Sequence, residues 1–338
     1  MAIYSPYRPY ARLSKHALTA ALRVPLLRRI VVRDRVVVAS SKLAPLQELV
    51  RDITGVADVS MALSIGRGGR YSKVTVQCMD PQARILAYAK IPCTEAARAR
   101  VRHEADVLRA LERQPELVGH VPRVLFAGER NGVTVLLATP GPTRSGPPRW
   151  GNLHDDFRRR LHAGSVTWRP VSELAQATAA RLRSARRYLP EAILGLCGEA
   201  LELTQAGLGS RVVRCGFSHG DFAPWNTRLG PNGLFAFDWE AADPLAPWCW
   251  DRFRFHVQVE GLLRHRAYAL PPEIPTESRD LVRALFSIFL VQAVSELVLE
   301  EHTDGLTSWF SFFGASLLRL RSPIKAAARG AGVPGARR

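Results

Sequence analysis

Residues 217–240 read FSHGDFAPWNTRLGPNGLFAFDWE, and both the fold and the chemistry of the chain turn on this stretch. Asp221 follows His219-Gly220, Asn226 lies five residues later, and Asp238 closes the apolar run 234–237. Between two short apolar runs, Gly230-Pro231-Asn232-Gly233 is a turn signal. The spacing therefore predicts a loop, a hairpin, and a carboxylate at the end of a strand. A hairpin folds the chain back, so the Asn226 amide and the Asp238 carboxylate can converge on one hard cation. Asp221 stays far enough away to take a proton from a hydroxyl nucleophile. A metal site with a base nearby suits phosphoryl transfer.

Upstream, the runs 59–65 and 73–78 have strand character, and the loop between them, GRGGRYS at 66–72, is glycine-rich. Backbone without Cβ atoms at Gly66, Gly68 and Gly69 can approach a polyphosphate and offer it N–H donors, although a merely flexible hairpin tip has the same composition. A third run, 85–89, ends in Lys90. Helical periodicity over 94–113 puts Val101, Ala105, Leu108 and Leu111 on one stripe with Glu104 beside it. A carboxylate there can reach Lys90, and the pair would fix an ammonium over nucleotide phosphates. Two further strands, 121–126 and 133–138, are split by the turn Arg130-Asn131-Gly132 and complete a lobe of five strands and one helix.

Around this lobe the chain divides into a basic N-terminal extension (1–55), the nucleotide-binding N-lobe (56–138), a helical C-lobe (139–320) that carries catalysis and substrate binding, and a basic tail (321–338). The extension ends in a short amphipathic helix over 43–53, framed by Pro45 and Gly55. A Pro/Gly cluster at 139–148 reads as a hinge and linker, and helices are expected at 153–162, 171–188, 191–206, 250–267, 278–301 and 306–319. His154 and His162 lie on an arginine-rich helix and read as surface residues. The Ala/Gly/Pro-rich residues 322–338 are expected to be disordered.

Composition is that of an ordinary globular protein: 47% hydrophobic and 23% charged over 338 residues. The apolar runs at 284–295 and 305–318 are shorter than the roughly eighteen residues a membrane span requires, and are read as buried helices. The N-terminus lacks a signal core, and five scattered cysteines form no Cys-x-x-Cys pair, so a reducing cytoplasm fits best. A net charge of +17 invites a nucleic-acid or anionic-membrane partner. The arginines are spread along the chain with no recognised nucleic-acid module, so no specific nucleic-acid partner is expected, and charge alone allows only weak association with anionic surfaces.

The order of parts is distinctive: glycine-rich hairpin, strand lysine, helix glutamate, hinge, helical lobe, HGDFAPWN, then FDWE. Over roughly residues 56 to 320 the chain resembles the aminoglycoside phosphotransferase family, the small-molecule branch of the protein-kinase-like fold that includes choline kinases. The resemblance implies an α+β, bilobal fold with a small five-stranded antiparallel N-lobe carrying one helix and a larger, mainly helical C-lobe. It implies ATP and Mg²⁺ as cofactors, Asp221 as catalytic base, and Asn226 and Asp238 as metal ligands. Lys90 and Glu104 match the nucleotide-positioning pair, Gly66, Gly68 and Gly69 the phosphate-covering loop, and the backbone from Ala138 to Gly141 the adenine contact. Asp251 and His219 would brace the catalytic loop.

The glycine loop departs from a regular Gly-x-Gly-x-x-Gly. Trp225 stands where many relatives carry a small residue, and with Trp239, Trp248 and Trp250 it is read as packing under the loop or as a stacking wall. The expected activity is transfer of the γ-phosphate of ATP to a hydroxyl of a sugar, an amino alcohol or an aminoglycoside-like compound. The alternative is a catalytically weak regulatory protein that binds nucleotide. Glu296, Glu300, Glu301 and Asp304 form the one obvious acidic group that could receive a polycation, while the basic balance of the chain points the other way.

Overall fold

The computed structural model describes residues 44–65, 69–164, 166–274, 276–300 and 306–330, with isolated positions between 13 and 20. They form two compact units. One comprises the described residues up to Pro148 together with Pro224–Ala241; the other comprises Arg149–Ala223 and the described residues from Ala242 onward. The boundary expected at residue 139 thus falls later, and the opening stretch is shared between the units rather than belonging wholly to a helical lobe.

The first unit is built on a five-stranded antiparallel sheet: β1 Ser60–Ile65, β2 Lys73–Met79, β3 Ile85–Pro92, β4 Val124–Arg130 and β5 Val133–Ala138, in the order β1-β2-β3-β5-β4. Alternation separates its faces. Val76, Cys78, Ala87, Ala89, Val135 and Leu137 point to one side, where helix α1 (Ala44–Thr54) covers them with Leu46, Leu49 and Val50. Gly55 ends α1 with a φ of +70° and donates its N–H to Arg51 O. The helix is therefore part of the sheet's core, not of a separate extension as expected. On the other face, Leu136 packs with Val101 and Ala105 of α2 (Glu95–Glu112), whose N-cap Thr94 accepts a bond from Ala97 N–H. A smaller sheet follows: β6 (Arg144–Ser145) and the predicted hairpin, β9 Thr227–Gly230 and β10 Gly233–Ala236, in which Gly230 pairs with Gly233.

The second unit holds helices α3 Asn152–Leu161, α4 Val171–Ala185, α5 Glu191–Leu208, α6 Trp250–Gln258, α7 Arg279–Glu300 and α8 Leu306–Gly330, plus a three-stranded sheet of β7 Thr167–Pro170, β8 Val212–Ser218 and β11 Asp243–Pro247. A π-helical turn, Val259–Leu263, continues α6. Helix α7 is long and apolar enough to cross a membrane by length and composition, longer than the run expected from sequence. It packs instead against α4, α5 and α8, with Ala284–Val294 nearly all buried. Helix α8 runs eleven residues past the expected end at Arg319, through Ser322-Pro323 and much of the stretch expected to be disordered. The N-terminal segment and the residues beyond 330 lie outside the described residues. All five cysteines are free.

His154 and His162 are buried, at 1% and 5% exposure, which corrects their reading as surface residues. They flank the arginines of α3, but 154, 157 and 161 share its inward face. His154 accepts a bond from Gly151 N–H at Nδ1, and neither His154 Nε2 nor His162 Nδ1 has a partner among the described residues. Burial holds both imidazoles down to about 4. Unfolded, they titrate near 6.5, so from about pH 6.5 to 4 the unfolded chain binds more protons and stability falls as pH drops. Their contribution is complete above pH 6.5 and lost by pH 4, on the order of 3 kcal/mol each. Urea unfolding between pH 7.5 and 4.5 should show this decline, and His162→Leu should flatten it; an unchanged slope in that variant would remove His162 from the account.

Candidate active site

Strand β8 leads into the loop His219-Gly220-Asp221, which closes through a single buried carboxylate. Asp251, in the first turn of α6, accepts from Ser218 Oγ (2.8 Å) and Gly220 N–H (3.1 Å) at Oδ1, and from His219 N–H (2.9 Å) at Oδ2. Gly220 takes a φ of +79°, which a residue with a side chain adopts only with strain. His219 is fully buried and accepts from Asp221 N–H at Nδ1 (3.3 Å). Both bracing contacts inferred from the resemblance are thus present. Phe222 anchors the loop from below, stacking on Phe157 and meeting Trp150, His154 and Phe255 edge-on or tilted.

Asp221 itself is half-buried and accepts from Gln258 Nε2 at 3.4 Å. Asp251 and Gln258 are seven residues apart on α6, two turns along one face. One helix therefore holds the loop backbone and supplies a donor to Asp221. Arg254 lies between them on the same helix. Its guanidinium is paired with Glu296 (2.7 Å), and although burial opposes its charge, Glu296 and then Asp221 hold its pKa above the ordinary arginine value. Glu296 also bonds Gln292 (2.8 Å) and Arg181 (3.3 Å), and despite burial these partners keep its carboxyl below the usual range. Ser218, Arg254 and Gln258 were not singled out from sequence; the helical spacing from Asp251 is the signal that finds the last two.

In the other unit, a cavity of about 390 Å³ has apolar walls that include Ile85, Leu108, Leu136, Ala138, Phe235 and Phe237. Its rim at 139–143 approaches the hairpin so closely that a Cβ at Gly141 would sit 2.3 Å from the Phe235 ring. Thr139 N–H is already used, donating to Arg123 O, so Thr139 offers the cavity no free backbone donor. The polar end gathers Lys73, Lys90, Glu104 and Asp238. Lys90 Nζ donates to both oxygens of Glu104 (2.6 and 2.5 Å) and to Asp238. Burial alone would lower Lys90, yet Asp238, Glu104 and Glu240 more than offset it and hold the ammonium well above the lysine range. Burial pushes Glu104 upward and Lys90 pulls it back. Glu104 also accepts from Trp239 N–H (3.1 Å), which ties α2 to the segment after β10.

Asp238 has a φ of +71°, unusual for a residue with a Cβ, and this turns its carboxylate out of the strand path. Asn226, buried, lies one register step beyond the hairpin's last pair, and its carbonyl accepts from Phe237 N–H (3.1 Å). Asn226 and Asp238 are hard oxygen donors, and the oxygens of Glu104, Asp238 and Glu240 lie within 4.8 Å of one another. That donor set fits magnesium better than zinc or copper. Lys73 and Glu240 form a further ion pair beside Asp238; neither was given a role from sequence. Gly69 has a φ of +141°, whereas Gly66 and Gly68 lie outside the described residues. The four tryptophans are divided between the two units. Trp239 is buried in the first unit, Trp225 is half-buried there, and Trp250 packs on Phe253 and Phe289 in the helical core, with Trp248 beneath Arg158.

No family model matches the chain, and no curated protein does. Solved structures do. A thermostable mutant of aminoglycoside phosphotransferase APH(4)-Ia in its apo form is 14% identical, covers 85% of this chain and all of its own, and superposes with a TM-score of 0.53. Another thermostable mutant of APH(4)-Ia, in ternary complex with AMP-PNP and hygromycin B, is 13% identical over 85% of this chain and 99% of its own, with a TM-score of 0.51. A choline/ethanolamine kinase family protein from Mesorhizobium loti is 17% identical, covers 94% of this chain and 99% of its own, and has a TM-score of 0.50. The chain therefore has the kinase-like α+β fold of these proteins.

Proposed function

We propose that the protein is an ATP-dependent phosphotransferase that moves the γ-phosphate to a hydroxyl of a small molecule. The observation that carries this reading is the meeting of Lys90, Glu104 and Asp238 at one end of the 390 Å³ cavity. An apolar chamber with a fixed cation at one end suits a purine base continued by phosphates. In this reading Asn226 and Asp238 hold Mg²⁺, which when bound would neutralise phosphate charge. Lys90, fixed by Glu104, contacts the α- and β-phosphates, and the base lies along Leu136, Ala138 and Phe237. Asp221 accepts the proton of the acceptor hydroxyl, with Gln258 orienting its carboxylate and Asp251 fixing the loop backbone.

The acceptor is better matched by a neutral sugar-like compound than by a polycation. Of the acidic group singled out in the sequence, Glu296 is neutralised by Arg254 and Arg181 and Glu300 is exposed; Glu301 and Asp304 lie outside the described residues. A polycation brought towards Asp221 would meet Arg254 close by.

Purified protein supplied with Mg-ATP and a pool of neutral sugars and polyols should release ADP. Asp221→Asn should lower that turnover by about 10²-fold or more while leaving nucleotide affinity unchanged; activity at the parent rate would remove Asp221 as the base. Lys90→Met should weaken ATP binding, followed by calorimetry, by tenfold or more, since it deletes a charge-assisted contact. Hygromycin B should give no ADP release above background. Mg-dependent ATP binding with no turnover on any acceptor would favour the regulatory alternative.

A further inference from the structure

Strand β2 begins with Lys73, just after the glycine-rich loop, and its alternation puts Lys73 and Thr75 on one face of the sheet. Thr75 is paired in register with Lys90, so both lysines project from the same face, and Lys73, Thr75 and Lys90 all line the cavity. The Lys73 side chain is 18% exposed; its ammonium bonds Glu240 and stands 3.5 Å from Asp238 Oδ1. Two lysines from adjacent strands thus converge on one carboxylate.

Glu104 is held by Lys90, which contacts both of its oxygens, and by Trp239 N–H. The Lys73–Glu240 pair is an addition to that unit, and a mostly buried ion pair contributes little net stability. Glu240 has a second cation within reach: Arg100, at 3.9 Å, held flat over the Tyr71 ring at 3.4 Å. If Lys73 turns toward an incoming anion, Glu240 keeps a partner. Three cations (Lys73, Lys90, Arg100) face three carboxylates (Glu104, Asp238, Glu240), so the cluster is formally neutral before any ligand arrives. A polyphosphate brings more negative charge than one lysine can match.

We propose that Lys73 is a second phosphate-binding lysine, held by Glu240 until a nucleoside di- or triphosphate enters the cavity. The proposal rests on the nucleotide reading above and assigns to β2 a contact that the strand lysine Lys90 does not supply. Lys73 acts on the phosphates and not on the base, so its contribution depends on the length of the phosphate chain. Glu240 acts in opposition, since it competes with the phosphates for the same ammonium.

Calorimetry on the full chain with adenosine, ADP and ATP, in excess EDTA and again with Mg²⁺, separates these effects. Lys73→Met should leave adenosine affinity within about twofold and weaken ADP and ATP by tenfold or more. Lys73→Arg should keep part of that affinity. Glu240→Gln, which frees Lys73, should tighten ADP and ATP binding in EDTA without changing adenosine binding, and it tests the proposal independently should Lys73→Met fail to fold. Lys73→Met binding ATP as tightly as the parent, or losing adenosine and ATP in equal measure, would overturn the assignment while leaving the nucleotide site standing. A parent protein that binds neither adenosine nor ATP would overturn the nucleotide reading, and this inference with it.

Discussion

A lysine ammonium held between two carboxylates inside a protein is tolerable only if all three stay together. Removing the lysine leaves the buried Glu104 carboxylate without its cation, at a cost of about 3–5 kcal/mol. Lys90, Glu104 and Asp238 come from a strand, a helix and the end of a hairpin, respectively. Their mutual need fixes α2 against the five-stranded sheet and, through the Trp239 N–H bond to Glu104, fixes the hairpin against α2. The cavity exists because these three elements are held at their ends by charge and along their lengths by apolar side chains. In the proposed reading the same constraint serves phosphate binding, because the fixed cation does not have to be gathered when the ligand arrives.

The loop that carries Asp221 is held the opposite way, with one carboxylate satisfying two backbone N–H groups and a hydroxyl. Asp251 accepts three bonds from Ser218, His219 and Gly220, and the aromatic floor of Phe157, Phe222 and Phe255 prevents the loop from sinking. Histidines near that floor are buried neutral, so the support beneath the loop depends on pH even though their rings do not face the reacting groups in the proposed mechanism.

Much of this was legible in the sequence, for identifiable reasons. The five strands and α2 announced themselves by short apolar runs, by helical periodicity and by turns such as Asn131-Gly132, and the Lys90–Glu104 contact followed from a strand end meeting the middle of a helix. Strand β8 was missed because it begins with an exposed valine and carries Arg214 and Gly216 within seven residues, too broken a pattern to stand out. His154 and His162 looked exposed because three consecutive arginines dominate α3, although its apolar face is regular. Lys73 was given no role from sequence; its place in the register beside Lys90 reveals which way it faces. Ser322-Pro323 looked like a stop, and α8 runs through it. Contacts such as Arg254 with Glu296 are forty-two residues apart and leave no local trace.

The path of the chain between the two units has a consequence for how the molecule can be taken apart. It passes from one unit to the other after Pro148, returns at Pro224, and leaves again after Ala241. A fragment ended at Pro148 would retain Lys90 and Glu104 but lack Asp238, both strands of the hairpin and the Phe235 and Phe237 walls of the cavity. Neither unit is a contiguous piece of polypeptide, so the two cannot be separated by cutting the chain once. Exchange of one half between relatives would have to carry the short segment Pro224–Ala241 with the N-terminal part. Its eighteen residues are sequence neighbours of the Asp221 loop but structural members of the unit that holds Lys90.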